Sequence, residues 1–219
     1  DRRGRAAMSE TVVNEGQWDA CKNDDMGITA ENMCEGWGMK REELDEFSVA
    51  SQAKACAARE SGRFKDEIVP IEVKKKKETV IVDTDEGPRP GTTMEGLAKL
   101  RPAFKPDGGR VTAGNASSIN DGAAAVVVMS EEKAKELGIK PMATWVAGAL
   151  GGVDPRIMGI GPVAATKKVL AKTGLTVNDF DLIGANEAFA AQSIAVAREL
   201  GFNKENLNVN GGAIALGHP

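Results

Sequence analysis

The apolar and polar positions divide this chain near residue 110. Before that point, amphipathic helices and a hairpin alternate with charged stretches. After it, apolar runs become almost unbroken and are spaced by helical segments. Met26-Gly27-Ile28-Thr29-Ala30-Glu31-Asn32 predicts a helix start with Thr29 as N-cap and Glu31 in the first turn, and Gly36 and Gly38 end the helix. A longer helix is predicted from about Lys40 to Ser61. Glu42, Glu43 and Asp45 load its start, Leu44, Phe47, Ala50, Ala53 and Ala57 form its apolar stripe, and Gly62 stops it. Residues 67–73 and 79–83 read as strands flanking Lys74-Lys75-Lys76-Lys77, with Ile71 and Val73 alternating as in a half-buried strand. The lysine run reads most simply as a solvated hairpin tip, with attraction of an anionic ligand as the lesser reading. Thr92-x-x-Glu95 is a capping box opening a short helix that ends near Pro102.

Residues 111–118 predict a strand running into a small-residue turn, and Asp121-Gly122 reverses the chain. Residues 123–129 are a continuous apolar run, the pattern of a strand buried on both faces. Ser130 is placed to cap a helix closed by Gly138. A strand over 143–150 follows, then a helix from Pro162 at N1 through Lys172, a strand over 181–185, a helix over 188–200 and a strand over 207–210. This alternation predicts an α/β fold around a mainly parallel sheet. Such sheets gather ligands at the carboxyl ends of their strands, where Asn186 and the loop from Gly211 to His218 both fall.

Composition narrows the function classes. With 42% hydrophobic and 27% charged residues, the chain reads as a soluble globular protein. The net charge of −4 gives no basic field for nucleic acid, and no stretch has the apolar length of a membrane span. Cys21, Cys34 and Cys56 lack metal-ligand spacing and are odd in number, which favours a reduced compartment, the cytoplasm, and predicts no metal site. The start at Asp1-Arg2-Arg3-Gly4-Arg5 has no initiating Met and no apolar leader, and the chain stops directly after His218-Pro219. An internal stretch of a longer protein is expected.

His218 is the only histidine in the sequence, set in Asn208-Val209-Asn210-Gly211-Gly212-Ala213-Ile214-Ala215-Leu216-Gly217-His218-Pro219. A histidine beside Gly and Pro is more often a turn residue than a catalyst. A second cluster, Asn186-Glu187-Ala188-Phe189-Ala190, changes that balance. Its plain structural reading is a helix start, with Asn186 capping and Glu187 in the first turn. Together the two segments resemble the NEAF and GGxxLGHP active-site motifs of the thiolases. The resemblance extends in order through residues 26–32, Gly62-Arg63-Phe64-Lys65-Asp66-Glu67-Ile68, Leu100-Arg101-Pro102-Ala103-Phe104, Thr112-Ala113-Gly114-Asn115-Ala116-Ser117 and Asn120-Asp121-Gly122-Ala123-Ala124.

The resemblance implies part of a layered αβαβα thiolase-like fold with an inserted α+β loop domain covering coenzyme A. On that map, residues 1–109 are the loop domain and its lead-in, 110–142 end the N-terminal half and 143–219 begin the C-terminal half. It implies acyl transfer between CoA thioesters: condensation of two acetyl-CoA to acetoacetyl-CoA, or thiolysis of a 3-ketoacyl-CoA. His218 would give an N–H to the thioester oxygen and assist cysteine activation, and Asn186 would hold a water as second oxyanion donor. Gly211 and Gly212 would permit a tight loop beneath the thioester. Arg89 would lie near the adenine end and Ser117 would bond pantetheine. Leu100, Ala103, Phe104, Ala113, Met158, Ala188 and Phe189 would line the pantetheine tunnel, with core packing as their plain alternative. No permanently bound cofactor is implied, CoA being substrate, and the family's members are homo-oligomers, dimers or tetramers.

The departures from the family pattern are specific. The family's nucleophilic cysteine falls upstream of this span and its second, proton-transferring cysteine downstream. Cys21, Cys34 and Cys56 stand outside both contexts. Asp25 stands where many members have histidine, and Gly96 where a coenzyme-contacting serine is common. A non-catalytic CoA- or lipid-binding relative without the nucleophile fits the same segment. A β-ketoacyl synthase shares the fold but needs a second active-site histidine.

Overall fold

Ala190, Ala191 and Ala195 are fully buried, and their small side chains let one helix sit against several others at once. That helix, which we label α6 (Ala190–Leu200), packs on α1 (Met26–Gly36), on α2 (Arg41–Glu60), on α5 (Gly161–Thr173) and on the 3-10 turn Pro155–Ile160. The computed structural model describes residues 11, 18–19, 24–76 and 78–219. The core around α6 holds Met33, Cys34, Met39, Leu44, Val111, Val196 and Ile214, with Phe104 and Phe189 packed at its margin. The remaining elements are β1 (Trp18–Asp19) paired with β2 (Asp24–Asp25), β3 (Ile71–Lys74) paired with β4 (Thr79–Val82), α3 (Met94–Ala98), α4 (Glu131–Glu136), a 3-10 turn at Val177–Asp179, and α7 (Ala213–Leu216).

Several helix ends follow the sequence. Ser130 accepts the Lys133 N–H at 3.2 Å, Pro162 stands at the start of α5, and Gly174 closes α5 in the left-handed conformation. Others differ by a register. The N-cap of α1 is Asp25, whose carboxylate accepts the Gly27 N–H at 2.8 Å, so Thr29 lies inside the helix and donates to the Met26 carbonyl. Glu31, expected in the first turn, lies further into the helix, is buried and accepts the Arg110 and Val111 N–H groups. The box at α3 is shifted too: Thr93, not Thr92, accepts the Gly96 N–H, while Thr92 donates to the Arg89 carbonyl.

The buried face of α2 is not the predicted apolar stripe. Ala50, Ala53 and Ala57 are exposed, whereas Leu44, Asp45, Ser48, Ser51, Gln52, Ala55 and Ala58 face inward. The polar members are tolerated because each is hydrogen-bonded. Asp45 meets Arg41 and Asn115, Ser48 the Leu44 carbonyl, Ser51 Glu187, and Gln52 both the Ile214 carbonyl and the Arg89 N–H.

The hairpin pairs Ile71 with Val82 and Lys74 with Thr79, as its composition predicts. It is not half-buried: Ile71, Val73, Ile81 and Val82 are all exposed. The expected strands beyond residue 110 differ most. Residues 122–129 and 143–150 form no ladder, and Val126 (86% exposed), Trp145 (79%) and Leu150 (90%) are open. A strand buried on both faces needs neighbours on its edges and a layer over each face, and the described residues supply neither here. The parallel sheet is reduced to single bridges, Ile183 with Leu207 and Ile119 with His218, beside one antiparallel bridge between Ala116 and Phe189.

Candidate active site

Residues 116–120 bring the two sequence motifs to one place. At the start of this segment Ala116 bridges Phe189, and the Ser117 N–H donates to the Ala188 carbonyl at 2.9 Å. Two residues on, the Ser118 carbonyl accepts the His218 N–H at 3.0 Å, and the Asn120 N–H donates to the His218 carbonyl at 3.3 Å. The segment is therefore a shared edge between residues 188–189 and the histidine. His218 itself is exposed, and Gly217 before it holds φ +96°, a conformation that favours glycine. A Cβ there would fall 2.2 Å from Asn120 Oδ1.

Beside this edge lies a cleft of about 350 Å³, walled by residues 86–100, by 113–118, by Gln52 of α2 and by Ile214 and Ala215 of α7. Arg89, Leu100 and Ala113, each expected at coenzyme A, line it. Ser117 is held between the lining residues Ala116 and Ser118. Ala188 stands next to the cleft edge through its bond to Ser117. The other expected tunnel residues are not brought into the cleft. Phe104 and Phe189 meet edge to face, with centroids 6.1 Å apart, against the core. Gly27 admits the Phe104 ring, since a Cβ at that position would lie 2.3 Å from it. Ala103 is exposed and donates its N–H to the Val111 carbonyl, and Met158 is exposed on the 3-10 turn.

Two cleft walls are fixed by a polar network that sequence reasoning missed. Arg41 forms an ion pair with buried Asp45 and donates to the Leu97 and Leu100 carbonyls at 2.6 and 3.2 Å. Asp45 also accepts from Asn115 at 2.9 Å, and Asn115 accepts the Thr112 N–H, so the other wall hangs from the same carboxylate. The visible signal is the inward spacing of Asp45, Ser48, Ser51 and Gln52 at helical intervals.

Asn186 and Glu187 differ from their capping reading. The residue at the N-cap of α6 is Phe189, with no side-chain cap. Asn186 is exposed, and among the described residues its side chain makes no hydrogen bond. Glu187 is buried instead and accepts the Ser51 hydroxyl at 2.6 Å, the Asn208 amide at 3.0 Å and the Ile214 N–H at 3.4 Å. Gly211 holds φ +85°, and a Cβ there would fall 2.6 Å from that of Ala55, so the glycine lets the loop lie close on α2.

Of the cysteines, Cys21 lies outside the described residues and Cys56 is part-buried. Cys34 is fully buried. Burial first, then the charge of Glu31, pushes its thiol from 9.0 up to about 12, so it is not a thiolate near neutrality. No group of three or more His, Cys, Asp or Glu among the described residues could hold a metal ion. No helix among them is long and apolar enough to cross a membrane.

Comparison with known proteins decides the family. Residues 2–132 match the family described as "Thiolase, N-terminal domain", and residues 139–219 match "Thiolase, C-terminal domain". The chain belongs to the thiolase family. It is 59% identical over all 219 residues to an acetyl-CoA acetyltransferase of Pseudomonas aeruginosa, spanning 56% of that relative's length. A Syntrophomonas wolfei acetyl-CoA acetyltransferase is 62% identical over 97% of this chain and 54% of its own. Among solved structures, the Bacillus anthracis acetyl-CoA acetyltransferase superposes at TM-score 0.91 and 48% identity, covering all of this chain and 55% of that one. Human mitochondrial 3-ketoacyl-CoA thiolase does so at 0.88 and 44%, covering all of this chain and 56% of its own. The thiolase chain described here thus has the family's layered α/β fold in part, and it spans about half the length of the relatives it matches.

Proposed function

We propose that the protein containing this chain transfers acyl groups between CoA thioesters, joining two acetyl-CoA to acetoacetyl-CoA or cleaving a 3-ketoacyl-CoA with CoA. The observation that carries this reading is the edge formed by residues 116–120, which holds residues 188–189 and His218 beside a cleft lined by Arg89, Leu100 and Ala113. A thioester oxygen gains negative charge when its carbonyl is attacked or its α-carbon deprotonated. Preorganised donors stabilise that charge without reorganisation. His218, exposed at the end of the loop, supplies an imidazole N–H and handles protons near neutral pH. Asn186, with an uncommitted amide, holds a water as the second donor. Arg89 and Ser117 receive coenzyme A. On this reading the acyl-accepting cysteine belongs to residues outside these 219, and the Cys34 thiol, buried and held protonated, is not suited to the role.

On this reading, residues 1–109 cover the coenzyme, 110–142 complete the first half of the fold and 143–219 open the second. CoA is a substrate, with no permanently held cofactor, and the full-length protein works as a homo-oligomer in the cytoplasm. The test is a full-length hybrid in which these residues replace the matching 56% of the Pseudomonas aeruginosa relative. CoA-dependent loss of acetoacetyl-CoA is expected in the hybrid. In His218→Ala the loss slows on the order of a hundredfold or more, because an oxyanion donor and a proton-handling group vanish together. Undiminished activity of His218→Ala would refute the proposal.

A further inference from the structure

The uncommitted Asn186 stands between two residues that are gripped. On one side, Asn208 clamps the main chain of Ala185: its Oδ1 accepts the Ala185 N–H at 2.9 Å, and its Nδ2 donates to the Ala185 carbonyl at 2.7 Å. The same Nδ2 donates to Glu187 Oε1 at 3.0 Å. On the other side, Glu187 Oε2 accepts the Ser51 hydroxyl and the Ile214 N–H, and Ser51 Oγ accepts the Gly212 N–H at 3.2 Å. The cluster thus ties α2, residues 185–187, Asn208 and the start of α7, the helix that leads into Gly217 and His218.

We propose that Glu187 and Asn208 are a positioning pair for the reaction, setting the place of Asn186 relative to α7 and the histidine beyond it. The proposal rests on the oxyanion role assigned to Asn186 above. Three features distinguish it from plain core stabilisation. Glu187 is 2% exposed, and its partners here are neutral donors, whereas an apolar pair of similar volume would stabilise a core at least as well. Asn208 holds φ +43°, the one non-glycine residue at positive φ among the described residues, and such a conformation persists where the surroundings demand it. The loop is also shaped to the carboxylate: a Cβ on Gly212 would fall 2.1 Å from the Glu187 carboxyl carbon. Both grips act on the residues flanking Asn186 and leave its amide untouched, as a group that must meet a ligand water requires.

The experiment is a double-mutant cycle in the full-length hybrid with Asn186→Ala, Asn208→Gly and both together. Asn208→Gly removes the clamp but keeps a residue that accepts positive φ. Steady-state condensation, acetyl transfer to the enzyme and melting temperature are measured for each. Misplacing a group by about 1 Å costs up to ~100-fold, so Asn208→Gly is expected to slow condensation ~10- to 100-fold, with acetyl transfer less affected. On the Asn186→Ala background the same change is expected to shift condensation less than about twofold, because its target is already gone. Equal losses on both backgrounds would overturn the positioning role while leaving the Asn186 role intact. Condensation at the parental rate in Asn186→Ala would overturn both. If Asn208→Gly melts below the assay temperature, Glu187→Gln, which keeps the shape of the buried side chain while removing its charge and one acceptor, is held to the same criterion.

Discussion

Asp45 is the point at which both walls of the cleft can be released by one change. Its carboxylate is 2% exposed and takes the Arg41 Nε at 2.9 and 2.8 Å on its two oxygens, besides the Asn115 amide at 2.9 Å. In Asp45→Ala the Asn115 amide keeps the Arg110 carbonyl, at 3.0 Å, so its loss is partial. The larger loss is at Arg41, whose guanidinium remains 19% exposed and therefore partly hydrated. Breaking a buried pair typically costs ~3–5 kcal/mol, and that partial access puts Asp45→Ala near the lower end, about 3 kcal/mol. Arg41→Ala costs a similar amount by stranding the carboxylate and freeing the Leu97 and Leu100 carbonyls. The double variant Arg41→Ala/Asp45→Ala leaves neither charge unpaired, so its loss should fall short of the sum by ~1–3 kcal/mol. Melting of the full-length hybrid reads the stability term. The KM for CoA reads the wall, and it should rise in both single variants with kcat changed less. Simple additivity in the melts, with KM unmoved, would refute the account of Asp45 as the common anchor.

Two further predictions concern the cysteines. Because the folded Cys34 pKa lies near 12 against 9.0 unfolded, its contribution to stability is complete below pH 9 and is lost as pH rises toward 12. Each unit in that window removes ~1.4 kcal/mol, so melting temperature against pH should fall less steeply above pH 9 in Cys34→Ala, and parallel slopes would contradict this. The 219 residues alone, mixed with acetyl-CoA, should show no acetyl adduct by intact mass, and they should aggregate rather than melt sharply as a monomer. A stoichiometric thioester on Cys21, Cys34 or Cys56 would overturn the reading of all three.

The motifs around Asn186 and His218 were legible because residue type and local spacing carry them. Ser130, Pro162 and Gly62 were legible as helix boundaries for the same reason. What the sequence hid lies at long separation. On α2 the run Leu44, Phe47, Ala50, Ala53 looks like an apolar stripe. The inward face instead carries Asp45, Ser51 and Gln52, whose partners Asn115, Glu187 and Ile214 stand 70, 136 and 162 residues away. Periodicity weighs each side chain by its own hydropathy and cannot register a hydrogen bond supplied from elsewhere. The cap reading of Glu187 failed in the same way, its donors being on α2, Asn208 and α7. Residues 123–129 show the opposite error. Their apolar run was read as buried on both faces, yet a strand is a strand only beside another, and the described residues provide no second edge there.

The edge at residues 116–120 also makes the cleft and the histidine mechanically one object. Ser118 lines the cleft while its carbonyl carries the His218 N–H, so one peptide unit separates the wall a ligand presses from the main chain that aims the imidazole. Asn120, two residues on, donates its N–H to the His218 carbonyl, so both main-chain polar groups of the histidine are tied to the same segment. A backbone shift at Ser118 would thus reach the main chain of His218 through a single hydrogen bond, with no moving lid required.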